Sequence, residues 1–434
     1  MWGEGATVRT VEEKSQACPE CGTEILVDSR FVAWCAACDW NVDPEPPEPQ
    51  RDRLERVRRA LARRHGEKLL AEVTDGGSLR ARRDASSLLA FGIALTVHGV
   101  TVALALGGVW WLVRGWGGLG TVGGPLMLMF AWALRPRAVR MPTEDAVLRR
   151  DDAPELYALV DEVAQVVGTR GVDRVAVDAE LNASVMVQGV RGQRVLTLGI
   201  PLWEILTPQQ RVALLGHELA HYSNGDTRHS LVVSTAYHSL TTWRYFFLPI
   251  PNPSMVEMVT NLLYVVPQLF LHGVLTLLDH LTLRATQRAE YLADREAARA
   301  ASTEAAVALM DRLLVTASAR GALRREANRA ALGGPRGARR AEAGAEQIWE
   351  LLTAHMASIP PYEYERQRRV GARRGHSVDS THPPTHLRRS CLLVGPSAPA
   401  AVVTDEERER RIAAELAGAR TAVARRIVRD GFDG

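Results

Sequence analysis

His217-Glu218-Leu219-Ala220-His221 decides how the rest of the chain is read. It follows Thr207-Pro208-Gln209-Gln210, which reads as a helix start. Thr207 suits a cap, Pro208 the first helical position, and Gln210 completes a capping box. Val212, Leu214, Leu215 and Leu219 supply apolar faces, so the helix is expected to be buried. Residues four apart share a helix face, so His217 and His221 offer two imidazole nitrogens to one metal ion. Glu218, beside the first histidine, is placed to act as general base toward a water there. Two ligands and a base within five residues is the pattern of zinc hydrolases. The bland alternative is an amphipathic helix whose histidines only pack or cap, and the rest of the chain must decide.

Outward from that stretch, composition sets bounds. A chain of 434 residues has room for two or three domains. Its mean hydropathy is near zero, which suits a mixture of membrane spans and charged soluble parts better than a uniformly buried membrane protein. Net charge is only +3, but arginine is strongly clustered. The start, MWGEGATVRTVEEKSQ, lacks the apolar core of a signal peptide, so the N-terminus is expected in the cytosol with its thiols reduced.

Four of the five cysteines form Cys18-x2-Cys21 and Cys35-x2-Cys38. Two such knuckles deliver four thiolates to one structural zinc, so residues 15–43 read as a zinc ribbon. Its strand-like runs are Ile25–Val27 and Phe31–Trp34, around Asp28-Ser29. Paired disulfides are the alternative, disfavoured by a cytosolic start. Aromatic residues are few and the local charge is not basic, so nucleic acid is not favoured; a protein partner or a purely structural role is left for the ribbon.

Residues 44–84 read as a Pro-rich linker and a basic juxtamembrane segment. Residues 85–135 read as a transmembrane hairpin: Ala85 to Val113 and Gly115 to Leu134 carry no Asp, Glu, Lys or Arg. Basic residues flank both outer ends, which puts both ends in the cytoplasm. A helix from Ala153 to Gly168 and strands at Val172–Val177, Ala183–Val187 and Arg194–Leu198 lead into the histidine helix. A second membrane hairpin is expected at about 230–283, with a buried soluble hairpin as its alternative. After it, Thr286 to Ser302 reads as a separate Ala-rich helix on which Glu290 and Asp294 share a face. Glu290 suits a third metal ligand, and Asp294 suits the other ring N–H of a ligating histidine. Residues 333–346 read as a flexible loop, 348–369 as a lid or substrate-channel segment, and 396–434 as a linker with an amphipathic helix.

The order H-E-x-x-H, apolar hairpin, E-x-x-x-D resembles the membrane-bound zinc metalloendopeptidases of the HtpX and CAAX-prenyl-protease type, the M48 family. The matching residues are His217 to Asp226, Glu290 to Asp294, and Thr381-His382-Pro383-Pro384 followed by Arg388. The resemblance implies an α+β, mostly α, zincin-like (gluzincin) domain with a small sheet over residues 150–395. It implies a catalytic zinc on His217, His221 and Glu290, with Glu218 as general base and Asp294 behind the ligands. It assigns His382 to the oxyanion and Arg388 to support of that loop or the substrate. Asn182 and Ala183 resemble the segment that pairs with an extended substrate. The added ribbon departs from the family pattern. The reading is an integral-membrane zinc endopeptidase, in the plasma membrane if the source is prokaryotic, with its site at the cytoplasmic face and membrane or membrane-adjacent proteins as substrates. Its rival is a membrane-anchored zinc-binding scaffold with a non-catalytic peptidase-like domain.

Overall fold

The computed structural model describes residues 14–44, 64, 66–68, 70–72, 85–136, 146–188, 192–223, 227–332, 344–374 and 383–432, and of 227–231, 284 and 331 the backbone only. Most of the basic segment, and residues 333–343 of the loop expected at 333–346, lie outside these residues. In the ribbon, β1 (Lys14–Ala17) pairs antiparallel with β2 (Glu24–Val27), Lys14 opposite Val27. The strand expected at Phe31–Trp34 does not form. The Asp28 carboxylate accepts the Arg30 N–H at 2.9 Å and turns the chain. Trp34 is then buried among Val42, Val370 and Tyr362 instead of entering a sheet.

α1 (Ala85–Arg114) and α2 (Gly120–Leu134) form the first apolar hairpin. Their axes approach closely through glycine: a Cβ at Gly124 would lie 2.7 Å from the Leu112 Cβ. At 1.5 Å per residue α1 is about 45 Å long, enough to cross a bilayer, whereas α2 is about 22 Å and falls short of the roughly 20 residues a spanning helix needs.

β3 (Ala146–Leu148), β4 (Arg174–Asp178), β5 (Ala183–Gln188) and β6 (Gln193–Gly199) make a mixed sheet in the order β3-β4-β6-β5. β4 and β6 run parallel; β5 pairs antiparallel with β6, Ala183 opposite Leu198, and forms an edge. α3 (Pro154–Val167) ends at Gly168, whose φ of 78° supplies the left-handed turn. α4 (Ile200–Ile205) leads into α5 (Pro208–Ser223), the histidine helix.

α6 (Thr227–Phe246) and α7 (Met255–Ala301) follow. Here the structure departs from the expectation: the apolar arm and the Glu290 segment are one helix, not two. No glycine or proline falls between Leu283 and Glu290, so nothing stops the helix. Glu290 therefore lies about 10 Å along the axis from Leu283. Among the described residues, two helices, α1 and α7, are long and apolar enough to cross a membrane, with mean hydropathy 2.0 and 1.5 over their best windows. The threonines, serines and Arg244 of α6 make it less apolar than either.

α8 (Thr303–Leu314), α9 (Thr316–Leu332), α10 (Gln347–Ala357), α11 (Pro361–Arg374), α12 (Thr385–Val394) and α13 (Glu406–Asp430) complete the chain. α3, the sheet, α5, the last turns of α7, α8 to α10 and α13 share one apolar core. α13 packs on that core and also caps it: the Glu415 carboxylate accepts the N–H groups of Glu155 and Leu156 at 2.8 and 2.9 Å, satisfying the exposed start of α3. A smaller cluster, including Ala94, Leu240 and Leu275, joins α1, α6 and α7.

Candidate metal centre

The local rules at the start of α5 hold. The Thr207 N–H donates to Gln210 Oε1 at 3.0 Å, and the Gln210 N–H to Thr207 Oγ1 at 3.4 Å. One residue before His217, Gly216 lets α5 meet α7. A Cβ there would lie 3.0 Å from the Ala297 Cα and 3.1 Å from the Ala300 Cβ. Small residues on both helices thus set the separation at which ligands from each converge. The Tyr222 hydroxyl lies 2.8 Å from the Met186 carbonyl and ties the other side of α5 to β5.

His217 Nε2 lies 3.4 Å from one Glu290 carboxylate oxygen and His221 Nε2 lies 3.6 Å from the other. Donor atoms of all three fall within 4.8 Å of one another. A tetrahedral zinc with bonds of about 2.0–2.1 Å holds its ligand atoms about 3.4 Å apart. Two imidazoles and a carboxylate at this spacing fit one such ion. The His217 and Glu290 side chains are 6% and 4% exposed while His221 is 25% exposed, so the site opens on the His221 side.

Behind the ligands, Asp294 lies one turn beyond Glu290. Its Oδ1 is 3.0 Å from His217 Nδ1. Arg388 of α12 grips the same carboxylate through both branches, Nη2 at 2.6 Å and Nε at 2.8 Å. Burial disfavours the charged form of Asp294, but the Arg388 guanidinium outweighs it and holds the carboxyl below the usual range. Burial and Arg388 likewise oppose an imidazolium at His217. Asp294 and Glu290 overcome them and push His217 up to about 10 without metal. The two carboxylates thus favour a positively charged His217 ring when no metal is bound.

Of the other expected residues, Glu218 is buried on α5 beside His217. Ala183 opens β5, and Asn182, exposed before it, accepts the Gly199 N–H at 2.9 Å through its carbonyl. His382 and Thr381 lie outside the described residues. Arg388 is 5% exposed and its Nη2 lies 3.2 Å from His217 Nδ1, so it stands against the ligand side chains. The sequence reading missed Gly216, whose signal was the facing alanine run at 297–301. It also missed Asp311, whose Oδ1 accepts from Arg368 and Arg389 at 2.8 Å each.

The four N-terminal cysteines form a second donor set. Sγ atoms of Cys18 and Cys38 are 3.7 Å apart and those of Cys21 and Cys35 3.5 Å. Disulfide sulfurs lie about 2.05 Å apart, whereas a zinc with bonds of about 2.3 Å spaces them about 3.8 Å. The thiols fit one ion. Hydrogen bonding with Thr23 lowers Cys21 to about 6, while at Cys38 the Trp40 backbone hydrogen bond is outweighed by burial and the neighbouring thiols, which push it up, so one thiolate of the set forms ahead of the other.

The family model for peptidase family M48 matches residues 151–393, more than half of the chain. No curated protein and no solved structure matches it. The matched stretch runs from just before α3 to the end of α12, so it holds β4 to β6, α5, α7 and Arg388, and leaves the ribbon, α1, α2, β3 and α13 outside.

Proposed function

The chain belongs to peptidase family M48, and on that premise we propose that it is an integral-membrane zinc endopeptidase cutting membrane or membrane-adjacent proteins at the cytoplasmic face. The observation that carries this is the convergence of His217, His221 and Glu290 donors within 4.8 Å from two helices. A zinc ion held by these three supplies a Lewis acid for the scissile carbonyl and an acidified water. Glu218 takes the proton of the attacking water and returns it to the leaving amine. Asp294 fixes the orientation of His217 through Nδ1, and Arg388 keeps Asp294 charged. The open edge of β5, entered at Asn182 and Ala183, supports strand addition of an extended peptide beside α5. By family resemblance His382 is assigned to the oxyanion. The four cysteines are assigned a structural zinc.

The bilayer is the first partner. Only 17% of the most apolar window of α1 or of α7 is buried in the protein, leaving a broad apolar surface for lipid. Several polar groups in this region are satisfied internally, as a membrane favours. Asn261 of α7 bonds both the N–H and the carbonyl of Ile250 in the turn before it, at 2.9 and 3.2 Å. Thr241, Thr260 and Thr276 each return a hydroxyl to the carbonyl four residues back. Because α7 continues from this region to Glu290, the active centre sits close beside the membrane, which favours substrate loops next to spans and protein quality control. A protein partner of the ribbon has only the face left by α11 to use.

The test is Glu218→Gln in the detergent-purified chain, with a membrane-protein substrate. The expected loss of cleavage is about 10²- to 10⁴-fold, with metal content unchanged. Full activity in that variant would rule out Glu218 as the base, whereas a wild type that cleaves nothing would favour the scaffold reading.

A further inference from the structure

The ribbon does not stand apart from the peptidase domain. Arg366 of α11, buried and held at 2.7 Å by both oxygens of Glu363, donates to the Val42 carbonyl at 2.9 Å. One turn on, Arg369 donates to the carbonyl of Ala36, inside the Cys35–Cys38 knuckle, at 2.7 Å and to Asp39 at 2.6 Å. Arg374 Nε donates to Asp43 at 2.7 Å. The knuckle that would carry the ribbon metal is thus held directly on α11.

The same helix reaches the metal centre. Arg368 donates to Asp311 Oδ1 at 2.8 Å, and that oxygen also accepts from Arg389 of α12 at 2.8 Å. Gly371 meets α12 so closely that a Cβ would lie 3.3 Å from His386 Nδ1. Arg388, the neighbour of Arg389, is the residue that grips Asp294. An unbroken run of contacts therefore links the cysteine knuckle, α11, Asp311, α12 and the second layer of the His217 centre.

We propose that the ribbon is a metal-held brace for the peptidase centre: a metal ion on the four cysteines fixes α11, and α11, through the Asp311 fork and the Gly371–His386 contact, positions α12 so that Arg388 reaches Asp294. Asp311 is a positioning residue in this scheme. Without metal the Cys35–Cys38 knuckle loses its shape, Ala36 and Asp39 leave Arg369, and α11 loses one of its two supports. Small ribbons rely on their metal for folding, so the brace exists only when the cysteine site is loaded. The reading rests on the proposed function only in taking the His217 centre as the working site. A recruiting ribbon docked on α11 by accident would have no effect on α12.

The test compares three variants of the full chain in detergent. Cys21→Ser/Cys38→Ser changes the two exposed thiols and removes the ribbon metal. Asp39→Asn/Asp43→Asn keeps the cysteines and weakens only the dock. Asp311→Asn breaks the fork. Amide hydrogen exchange is read over α12, with metal content, kcat and KM measured beside it. The expected result is faster exchange over Thr385–Val394 in all three, by about 5- to 100-fold, the range of ordinary intersite coupling. kcat should fall with KM little changed, and α7 should stay protected. Exchange that rises in the ribbon and α11 while α12 matches the wild type would overturn the proposal, as would unchanged α12 in Asp311→Asn alone. A wild type with no second metal and no cleavage would instead sink the peptidase reading, and the exchange data would still decide on the brace.

Discussion

The two donor sets of this chain are built in opposite ways. The four cysteines lie within a stretch of 21 residues, and Cys21 and Cys38 are exposed. Around Cys18, Ile25 and Cys35 the buried apolar cluster is small. The His217 centre draws ligands from helices 73 residues apart in sequence, and its geometry comes from packing: Gly216 against Ala297, and Arg388 on Asp294. The first set is organised by the ion it would bind; the second is organised before any ion arrives. A local site can be added to a chain as a module. A preorganised one is distributed through the core and carries the family match.

The comparison can be broken most severely at Asp294. Asp294→Ala strands the buried Arg388 charge beside His217, and loss of one partner of a buried pair costs about 3–5 kcal/mol. Melting of the peptidase core should drop accordingly, and zinc affinity at that centre should fall about 10- to 100-fold, with the ribbon zinc retained. Calorimetry would show whether the two sites respond separately.

Protons give a second contrast. Metal-free His217 stands at about 10, above the usual value of about 6.5. A raised histidine contributes stability that is full below about pH 6.5 and is lost as pH rises through about 10. Metal must displace that proton, so zinc affinity at the centre should rise about tenfold per pH unit between about 7 and 9. Titration in two buffers of different ionisation enthalpy measures the released proton; buffer-independent heats in a Cys21→Ser/Cys38→Ser background would argue against a charged His217.

A smaller effect sharpens the claim of preorganisation. Gly216→Val forces α5 off α7 and should cost about 1–3 kcal/mol from overpacking, with a matching loss of zinc at the His217 centre only. The smallest expected effect is at Glu415→Gln, which weakens the cap on α3. About 0.5–1 kcal/mol of stability should go, with both metal contents and cleavage unchanged. Urea unfolding of each variant provides the numbers.

The comparison also explains what could be read from sequence. The cysteine knuckles and the histidine helix are local: ligand spacing, the Thr207 and Gln210 capping box and helix periodicity are all short-range, and they appear as written. Glu290 and Asp294 needed only their four-residue spacing and the family order of motifs. What sequence did not disclose depends on contacts between distant segments. Arg388 is picked out by the family motif, but its grip on Asp294 is visible only where α12 lays it there. The stretch 348–369, read as a lid or channel segment, forms the helix pair against which the ribbon sits, through partners such as Arg30 and Ser358, 328 residues apart. The strand expected at Phe31–Trp34 was lost to that same dock, because Trp34 gains more from burial against Val370 than from an edge pairing. The continuity of α7 was missed for the opposite reason: composition changes sharply near Leu283, but composition alone does not end a helix.

The most direct measurement is zinc per chain for the wild type beside His217→Ala/His221→Ala, purified in detergent. The account predicts two zinc ions in the wild type and one in the variant, the remaining ion on the cysteines. One ion in each, with no gain when zinc is added back, would contradict it and leave the His217 centre without a metal to work with.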